Sequence, residues 1–512
     1  MKLKSPILKL ALFATGLSGI VAEYMLATLA TYFLGDSVLQ WTMIVSVMLF
    51  SMGLGSRLSQ YIKSNTLVAF VYIELVLSVL VGYASMLAYL SSGYTEYTGI
   101  IIYALSIAIG LLIGLEIPLV VRMNEAFEDL RVNVASVMEK DYWGSLVGGV
   151  FFIFVGLPFL GLTYTPFLLG SINFLVAVAL FFTVHKAVTK GKSRLIGSTV
   201  VVALLLGVGT AVASPVVLYG EQQRYKDKVI YAEQSEYQRI VLTEWKNEHW
   251  LFINGSQQLS TLDEDKYHEP LVHPAMQLAQ APKNVLVLGG GDGCAVREIL
   301  KYPGVESIAL VDLDPAMTNL GQTHPILTEL NENALNHEKV TVHNSDGYTF
   351  MEQEASFYDA IFIDLPDPKS VDLNRLYTYE FYRLCHKRLR PNGVLVTQAG
   401  SPYYATQAFR CIDTTMAAAG FATAPMHNQV LTLGEWGWIL GSKNTTPTVL
   451  KQRLQSLTFD NISTRWINNE AMQLVTSFGK DVYFRTDDPL EVNRVHDPVL
   501  YQYYLKGNWD LY

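Results

Sequence analysis

Across 1–220 the chain runs in long apolar stretches separated by short charged loops, and from 221 onward charge and alternation set in. Leu10–Leu34, Leu39–Ser56, Leu67–Leu90, Gly99–Val121 and Leu195–Gly220 each approach or exceed the roughly 20 residues that cross a bilayer as a helix. Tyr142–Val184 carries no charge, is too long for one span and suits two. The pattern predicts about seven transmembrane helices over 1–220. A cleavable signal peptide does not fit, because its apolar core would be only about 7–15 residues long.

Lysine and arginine cluster at the N-terminus (Lys2, Lys4, Lys9) and after the second (Arg57, Lys63), fourth (Arg122, Arg131, Lys140) and sixth (Lys186, Lys190, Lys192, Arg194) spans. The intervening loops hold Asp36, Glu96 and the uncharged turn near Pro158–Pro166. This bias places the N-terminus in the cytoplasm, and with seven spans it places everything after Gly220 outside. Glu23, Glu74 and Glu116 fall inside spans, where a carboxyl group is costly and faces the bundle interior. Two readings are open for them: cation or proton handling, or hydrogen-bonded acids that hold helices together.

In 221–280, β-branched and aromatic residues at Lys228–Tyr231, Arg239–Glu244 and Trp250–Ile253, with Asn254-Gly255 as a turn, predict a small β unit. A helix follows over Asp263–Ala275, capped by Thr261 or Asp263. In 281–445, strands at Val285–Leu288, Ser307–Val311, Val340–His343, Ala360–Ile363, Val394–Thr397 and Trp436–Gly441 alternate with helices, notably Cys294–Lys301 and Arg375–Arg390. That alternation predicts a doubly wound, Rossmann-like α/β domain of the methyltransferase type. The extension 446–512 has no clear pattern. The expected architecture is therefore a multi-domain chain: an α-helical transmembrane bundle, a β unit, an α/β domain and a C-terminal extension.

Half of the 512 residues are hydrophobic and 16% are charged, and the apolar excess lies in the first part. The net charge of −9 gives no basic footprint for nucleic acid. The three cysteines, Cys294, Cys385 and Cys411, make neither a disulfide framework nor a metal spacing.

The candidate chemistry starts at Lys283–Ile299, KNVLVLGGGDGCAVREI, where a strand runs into glycines and then a helix. Glycines there let a ligand approach the backbone, and the helix start turns unpaired N–H groups toward it. Ligands of open α/β sheets bind at the carboxyl ends of the strands. Acids stand at four such ends: Asp292 after the glycines, Asp312 in VDLDP, Asp346 in NSDGY, and Asp364 with Asp367 in DLPDP. Asp312 follows the glycines by about 20 residues, where an acid can take both ribose hydroxyls. Asp346 is placed to accept from an adenine amino group. The glycine spacing is not GxGxxG, so a methionine-derived nucleoside fits better than NAD.

Taken together, Tyr267-His268-Glu269, GGGDGCAVRE, VDLDP, NSDGY and DLPDP resemble the spermidine synthase family of polyamine aminopropyltransferases, over Tyr231–Lys443. The apolar half resembles the membrane-fused bacterial branch. The resemblance implies decarboxylated S-adenosylmethionine as co-substrate, with no separate cofactor and no metal, and putrescine or a related polyamine as acceptor. It implies that the donor lies on Gly289, Gly290 and Gly291, with its ribose on Asp312, its adenine near Asp346 and its aminopropyl ammonium on Asp292. Asp364 matches the catalytic aspartate and Asp367 the acid that helps hold the acceptor. Tyr267 and His268 match the pair at the donor–acceptor boundary, and Gln238 and Gln258 match glutamines lining the cleft. His268 is either a hydrogen-bonding wall or a proton shuttle. Trp436 and Trp438 read as core and cleft wall. Dimers are common in the soluble family, so a homodimer is a further expectation.

The residue types suit that chemistry. A sulfonium is already a good leaving group, whereas an amine of pKa near 10 is protonated at neutral pH and needs a carboxylate to take its proton. Asp292, Asp364 and Asp367 give a diamine anionic walls. Two departures from the family pattern stand out: Cys294 replaces the last glycine of GGGDGG, and DLPDPKSVDLNRLYT replaces DSSDP with its Gly-Pro. These changes and Lys369, which also reads as a solvated loop lysine, bear on acceptor identity. The expected function is a cell-membrane, multi-pass aminopropyltransferase with the lipid bilayer as a partner. A cytosolic nucleoside favours the cytoplasmic face for its catalytic part, and loop charge favours the outside. The alternatives are a polyamine transporter or sensor with a non-catalytic nucleoside domain, and an S-adenosylmethionine-dependent methyltransferase.

Overall fold

The computed structural model describes residues 4–35, 37–95, 97–125, 127–184, 192–479 and 490–509. Lys2, Asp36, Glu96, Lys186 and Lys190, invoked above for orientation, lie outside them. The chain divides into two compact units, Met1–Glu236 and Tyr237–Tyr512.

The first unit is helical: α1 (Lys4–Leu34), α2 (Ser37–Leu58), α3 (Thr66–Tyr94), α4 (Thr98–Asn124), α5 (Leu130–Phe151), α6 (Gly161–Val184) and α7 (Lys192–Arg224), with a π-helical segment at Phe152–Leu160. Among the described residues, six stretches are long and apolar enough to cross a membrane, of which Leu130–Phe182 is 53 residues long. That stretch folds in two. Gly144 and Gly148 of α5 lie so close to α1 that a Cβ at either would come within 2.0 and 2.6 Å of the Phe13 and Leu17 carbonyl oxygens. On α6, Asn173 accepts from the Ser18 hydroxyl of the same α1 at 2.6 Å, and Thr165 donates back to the Gly156 carbonyl at 2.8 Å. The chain therefore reverses at Gly161.

Small residues let these helices meet closely. Gly114 of α4 sits where a Cβ would be 2.1 Å from the Met52 carbonyl oxygen of α2. On the outside, Phe50, Phe154, Leu175, Phe182 and Leu204 are exposed, a surface that would aggregate in water. Glu23, Glu74 and Glu116 are buried. The Thr15 hydroxyl donates to Glu74 Oε1 at 3.4 Å, and neither oxygen of Glu116 has a hydrogen-bond partner among the described residues.

β1 (Lys228–Gln234) ends the first unit. The second opens with a meander of β2 (Arg239–Trp245), β3 (Glu248–Ile253) and β4 (Ser256–Ser260). Asn254 and Gly255 close the β3–β4 hairpin with φ of 50° and 79°, a left-handed pair that asparagine and glycine tolerate. Next comes α8 (Asp265–Leu278). Neither expected cap serves it: Asp263 accepts from the Thr432 N–H and hydroxyl at 2.8 Å each, and the Thr261 hydroxyl donates to Glu248 at 2.6 Å.

The α/β sheet contains β5 (Asn284–Gly289), β6 (Ser307–Asp312), β7 (Val340–Asn344), β8 (Tyr358–Asp364), β9 (Leu389–Gly400), β10 (Ala422–Val430) and β11 (Gly434–Ser442), in the order β10-β11-β9-β8-β5-β6-β7. The five strands from β5 to β9 are parallel, and β11 and β10 are antiparallel. The sequence reading did not resolve β10. Because three residues separate β10 from β11, they can join only as a hairpin. Apolar side chains from both sheet faces form two cores, one around Val287, Phe362 and Trp438 and the other around Leu288, Ile363 and Phe381. The order reverses beside β5, so the carboxyl ends of β5, β6 and β8 open on one crevice.

Candidate active site

Gly289, Gly290 and Gly291 bring three strand ends together. Gly289 has φ of 82°, and a Cβ on it would stand 2.1 Å from the Asp364 carbonyl oxygen. The Gly290 N–H donates to that same oxygen at 3.0 Å. A Cβ on Gly291 would meet Asp312 Oδ2 at 2.7 Å. The glycines thus make room for the neighbouring strand ends, and the acids of β6 and β8 converge on the turn.

Four predicted residues meet there. The Tyr267 hydroxyl donates to Asp364 Oδ1 at 2.7 Å. His268 Nε2 lies 3.9 Å from Asp292 Oδ1 and 4.0 Å from Asp364 Oδ2. His268, Asp292 and Asp364 each bring one polar atom within 4.8 Å of the others. On its other side, His268 Nδ1 bonds Glu264 Oε2 at 2.8 Å. Arg297 grips Glu264 with two parallel bonds of 2.9 Å each. α8 supplies Tyr267 and His268 one turn apart from Glu264, and α9 (Cys294–Leu300) supplies Arg297.

These contacts set the charges. Burial alone would lower His268, but the hydrogen bond and charge of Glu264, with Asp292 and Asp364, raise its pKa to about 9. Burial lifts Asp364 to about 6, with the His268 charge pulling the other way and Asp292 adding to the rise. Burial also lifts Asp312 to about 6. For Glu264 burial acts upward, yet His268 and then Arg297 win and hold it at about 2. The site is therefore two acids with a buried imidazolium between them and a fixed anion behind it.

Further contacts hold Asp292 and place the other predicted residues. Asp292 Oδ1 accepts the Cys294 N–H at 2.8 Å, just before α9 begins. The Cys294 thiol is buried and turned toward Glu264 and His268. Asp346 caps the helix Gly347–Gln353 through the Thr349 N–H and hydroxyl at 2.8 Å each, and pairs with Arg375. Those bonds and that charge outweigh its burial and lower its pKa. Gln258 on β4 donates to the Ser256 carbonyl at 3.1 Å, and Gln238 precedes β2, half-buried. Lys369 reaches Ser256 Oγ at 2.9 Å, which ties the loop after β8 to the edge of the meander. Trp438 is buried with its ring 5.4 Å from that of Tyr267.

Residues 264–453 match the model of the spermine/spermidine synthase domain. A polyamine aminopropyltransferase of Leptospira interrogans is 39% identical over 487 residues, 95% of each chain. Polyamine aminopropyltransferase 2 of Aquifex aeolicus is 40% identical, over 98% of this chain and 99% of that one. This chain belongs to the polyamine aminopropyltransferase family. The aminopropyltransferase is also similar to a solved spermidine synthase in complex with the transition-state analogue AdoDATO, at 26% identity, covering 49% of this chain and 86% of that one with a TM-score of 0.45. Its likeness to the two bacterial relatives runs through the apolar helices as well as the α/β sheet.

Sequence reasoning missed several residues of this aminopropyltransferase. Glu264 stands four before His268 and Arg297 three after Cys294, spacings that put each on the site face of its helix. Gln398 donates to the Leu365 carbonyl at 2.7 Å and to Asp367 Oδ1 at 3.3 Å, and it accepts the Gly400 N–H at 2.9 Å. Glu269 of the Tyr-His-Glu motif turns away from the cleft and accepts the N–H groups of Arg465, Trp466 and Ile467 at 2.5, 2.8 and 2.8 Å. It anchors the C-terminal extension.

Proposed function

We propose that the N-terminal helices hold this aminopropyltransferase in a membrane and that it makes spermidine and methylthioadenosine from putrescine and decarboxylated S-adenosylmethionine, with Asp364 as base. The observation that carries the reading is the Asp364 carboxylate, fixed by Tyr267 and sharing its space with Asp292 and His268. The donor's nucleoside lies along Gly289–Gly291 with its ribose on Asp312 and its adenine beside Asp346. Its aminopropyl ammonium lies at Asp292. Asp367 faces the far ammonium of the acceptor.

The acceptor nitrogen attacks the methylene carbon next to the sulfonium. A C–N bond forms, the C–S bond breaks with its electron pair going to sulfur, and the proton from nitrogen passes to Asp364. An ordinary aspartate is roughly six and a half pK units less basic than an alkyl amine. With Asp364 near 6, the gap narrows to roughly four. Holding amine and donor in line supplies a further several kcal/mol.

Purified full-length protein given both substrates should release methylthioadenosine and spermidine in equal amounts, and the protein should stay with membranes through an alkaline carbonate wash. Methyl transfer from intact S-adenosylmethionine, or saturable binding of both compounds with no product, would point to one of the two alternative readings instead. The rate should also fall as pH drops through about 6, because the base must be ionised. In His268→Gln the cation that favours the Asp364 carboxylate is gone, so its pKa rises and the acid limb moves to higher pH. An unmoved limb would separate His268 from the base.

A further inference from the structure

The C-terminal extension, patternless in sequence, reaches Asp367. The helix Val499–Leu505 carries Tyr504, which is buried and donates its hydroxyl to Asp367 Oδ2 at 2.7 Å. Its position is over-determined. The Trp509 ring lies 4.6 Å from the Tyr504 ring, and the indole N–H donates to the Tyr504 carbonyl at 2.8 Å. Asn493 donates to the Tyr377 carbonyl at 3.0 Å, and the Tyr501 N–H donates to Asn374 Oδ1 at 3.1 Å. Tyr377 in turn donates to the Pro366 carbonyl at 3.1 Å. The tail helix is thus pinned to the segment that carries Asp367.

The other carboxylate oxygen, Oδ1, lies beside Gly400 and Gln398. Gly400 stands at φ of 70°, and a Cβ there would lie 3.5 Å from Asp367 Oδ1, so glycine leaves that oxygen approachable. Gln398 meets it at 3.3 Å and leaves lone-pair capacity unused. A tyrosine hydroxyl that donates to a carboxylate can still accept from an ammonium.

We propose that Tyr504 closes the far end of the acceptor pocket, where it positions Asp367, shares the acceptor's distal ammonium with it and thereby sets the length of amine that fits. This rests on the reading of Asp367 as the acid that holds the acceptor. The residue acts through binding and takes no part in proton transfer.

The test is steady-state kinetics on the full-length enzyme with a series of diamines and triamines. Tyr504→Phe keeps the ring on Trp509 and loses only the hydroxyl. It should raise KM for putrescine about tenfold, the usual scale for one hydrogen bond to a charged group, with kcat within about twofold and KM for the donor unchanged. Tyr504→Ala should raise the ratio of kcat/KM for a triamine over a diamine. An unchanged putrescine KM in the Phe variant, or a parallel rise in both substrates' KM values, would overturn the proposal. If instead the wild type turns over no amine at all, the functional reading falls and takes this inference with it.

Discussion

Asp364→Asn is expected to lower kcat about a thousandfold while the donor still binds, because a positioned general base is worth roughly 10²–10⁴ in rate. The substitution is close to isosteric, and the amide oxygen can keep the 2.7 Å bond from Tyr267. What it cannot do is take a proton. Neither neighbour replaces it: Asp292 holds the Cys294 N–H with the oxygen that faces His268, and His268 already carries a proton through neutral pH. Equilibrium dialysis of the donor, set beside single-turnover release of methylthioadenosine, separates binding from chemistry. A loss below tenfold would mean that the proton leaves by another route. A loss of donor binding would mean that Asp364 mainly holds the sulfonium side.

The sequence disclosed this site where chemistry follows from local chain geometry. A strand running into GGGD, and acids ending later strands, need only the rule that parallel sheets bind at their carboxyl ends, and Asp292, Asp312 and Asp364 do converge there. The hidden part depends on long-range contacts. Glu264 and Arg297 are 33 residues apart, and nothing in either segment says that the two helices face each other. Tyr504 is 137 residues from Asp367 and sits in a segment with no periodicity. β10 escaped notice for a different reason: Ala422–Val430 is interrupted by Pro425 and polar at His427, Asn428 and Gln429, and an edge strand can tolerate both. In the helical unit, the uncharged run Tyr142–Val184 already reads as two spans by its length, and packing against α1 places the turn between them at Gly161.

Arg297→Met should destabilise the α/β unit by about 3–5 kcal/mol, the usual cost of removing one partner from a buried ion pair, and should lower its thermal transition by on the order of 10 °C. Arg297 is 6% exposed and donates to Glu264 twice, to Glu298 at 2.8 Å and to the Leu330 carbonyl at 2.7 Å. Without it, Glu264 and Glu298 stay buried with less positive charge. The effect has a pH signature. Glu264 is held at about 2 in the fold, below its ordinary 4.5, so the stability it contributes is present above that ordinary value and is lost as pH falls through about 2. The gap between wild type and Arg297→Met should therefore be full at neutral pH and shrink below about 4.5. Adding Glu264→Gln to the variant should recover part of the loss, since removing both charges costs less than stranding one. The acid limb of the rate should nevertheless move to higher pH, because His268 then loses the anion that keeps it protonated beside Asp364. A double variant that regained stability with an unmoved acid limb would show that the Arg297–Glu264 pair braces the fold and leaves the charge of His268 alone.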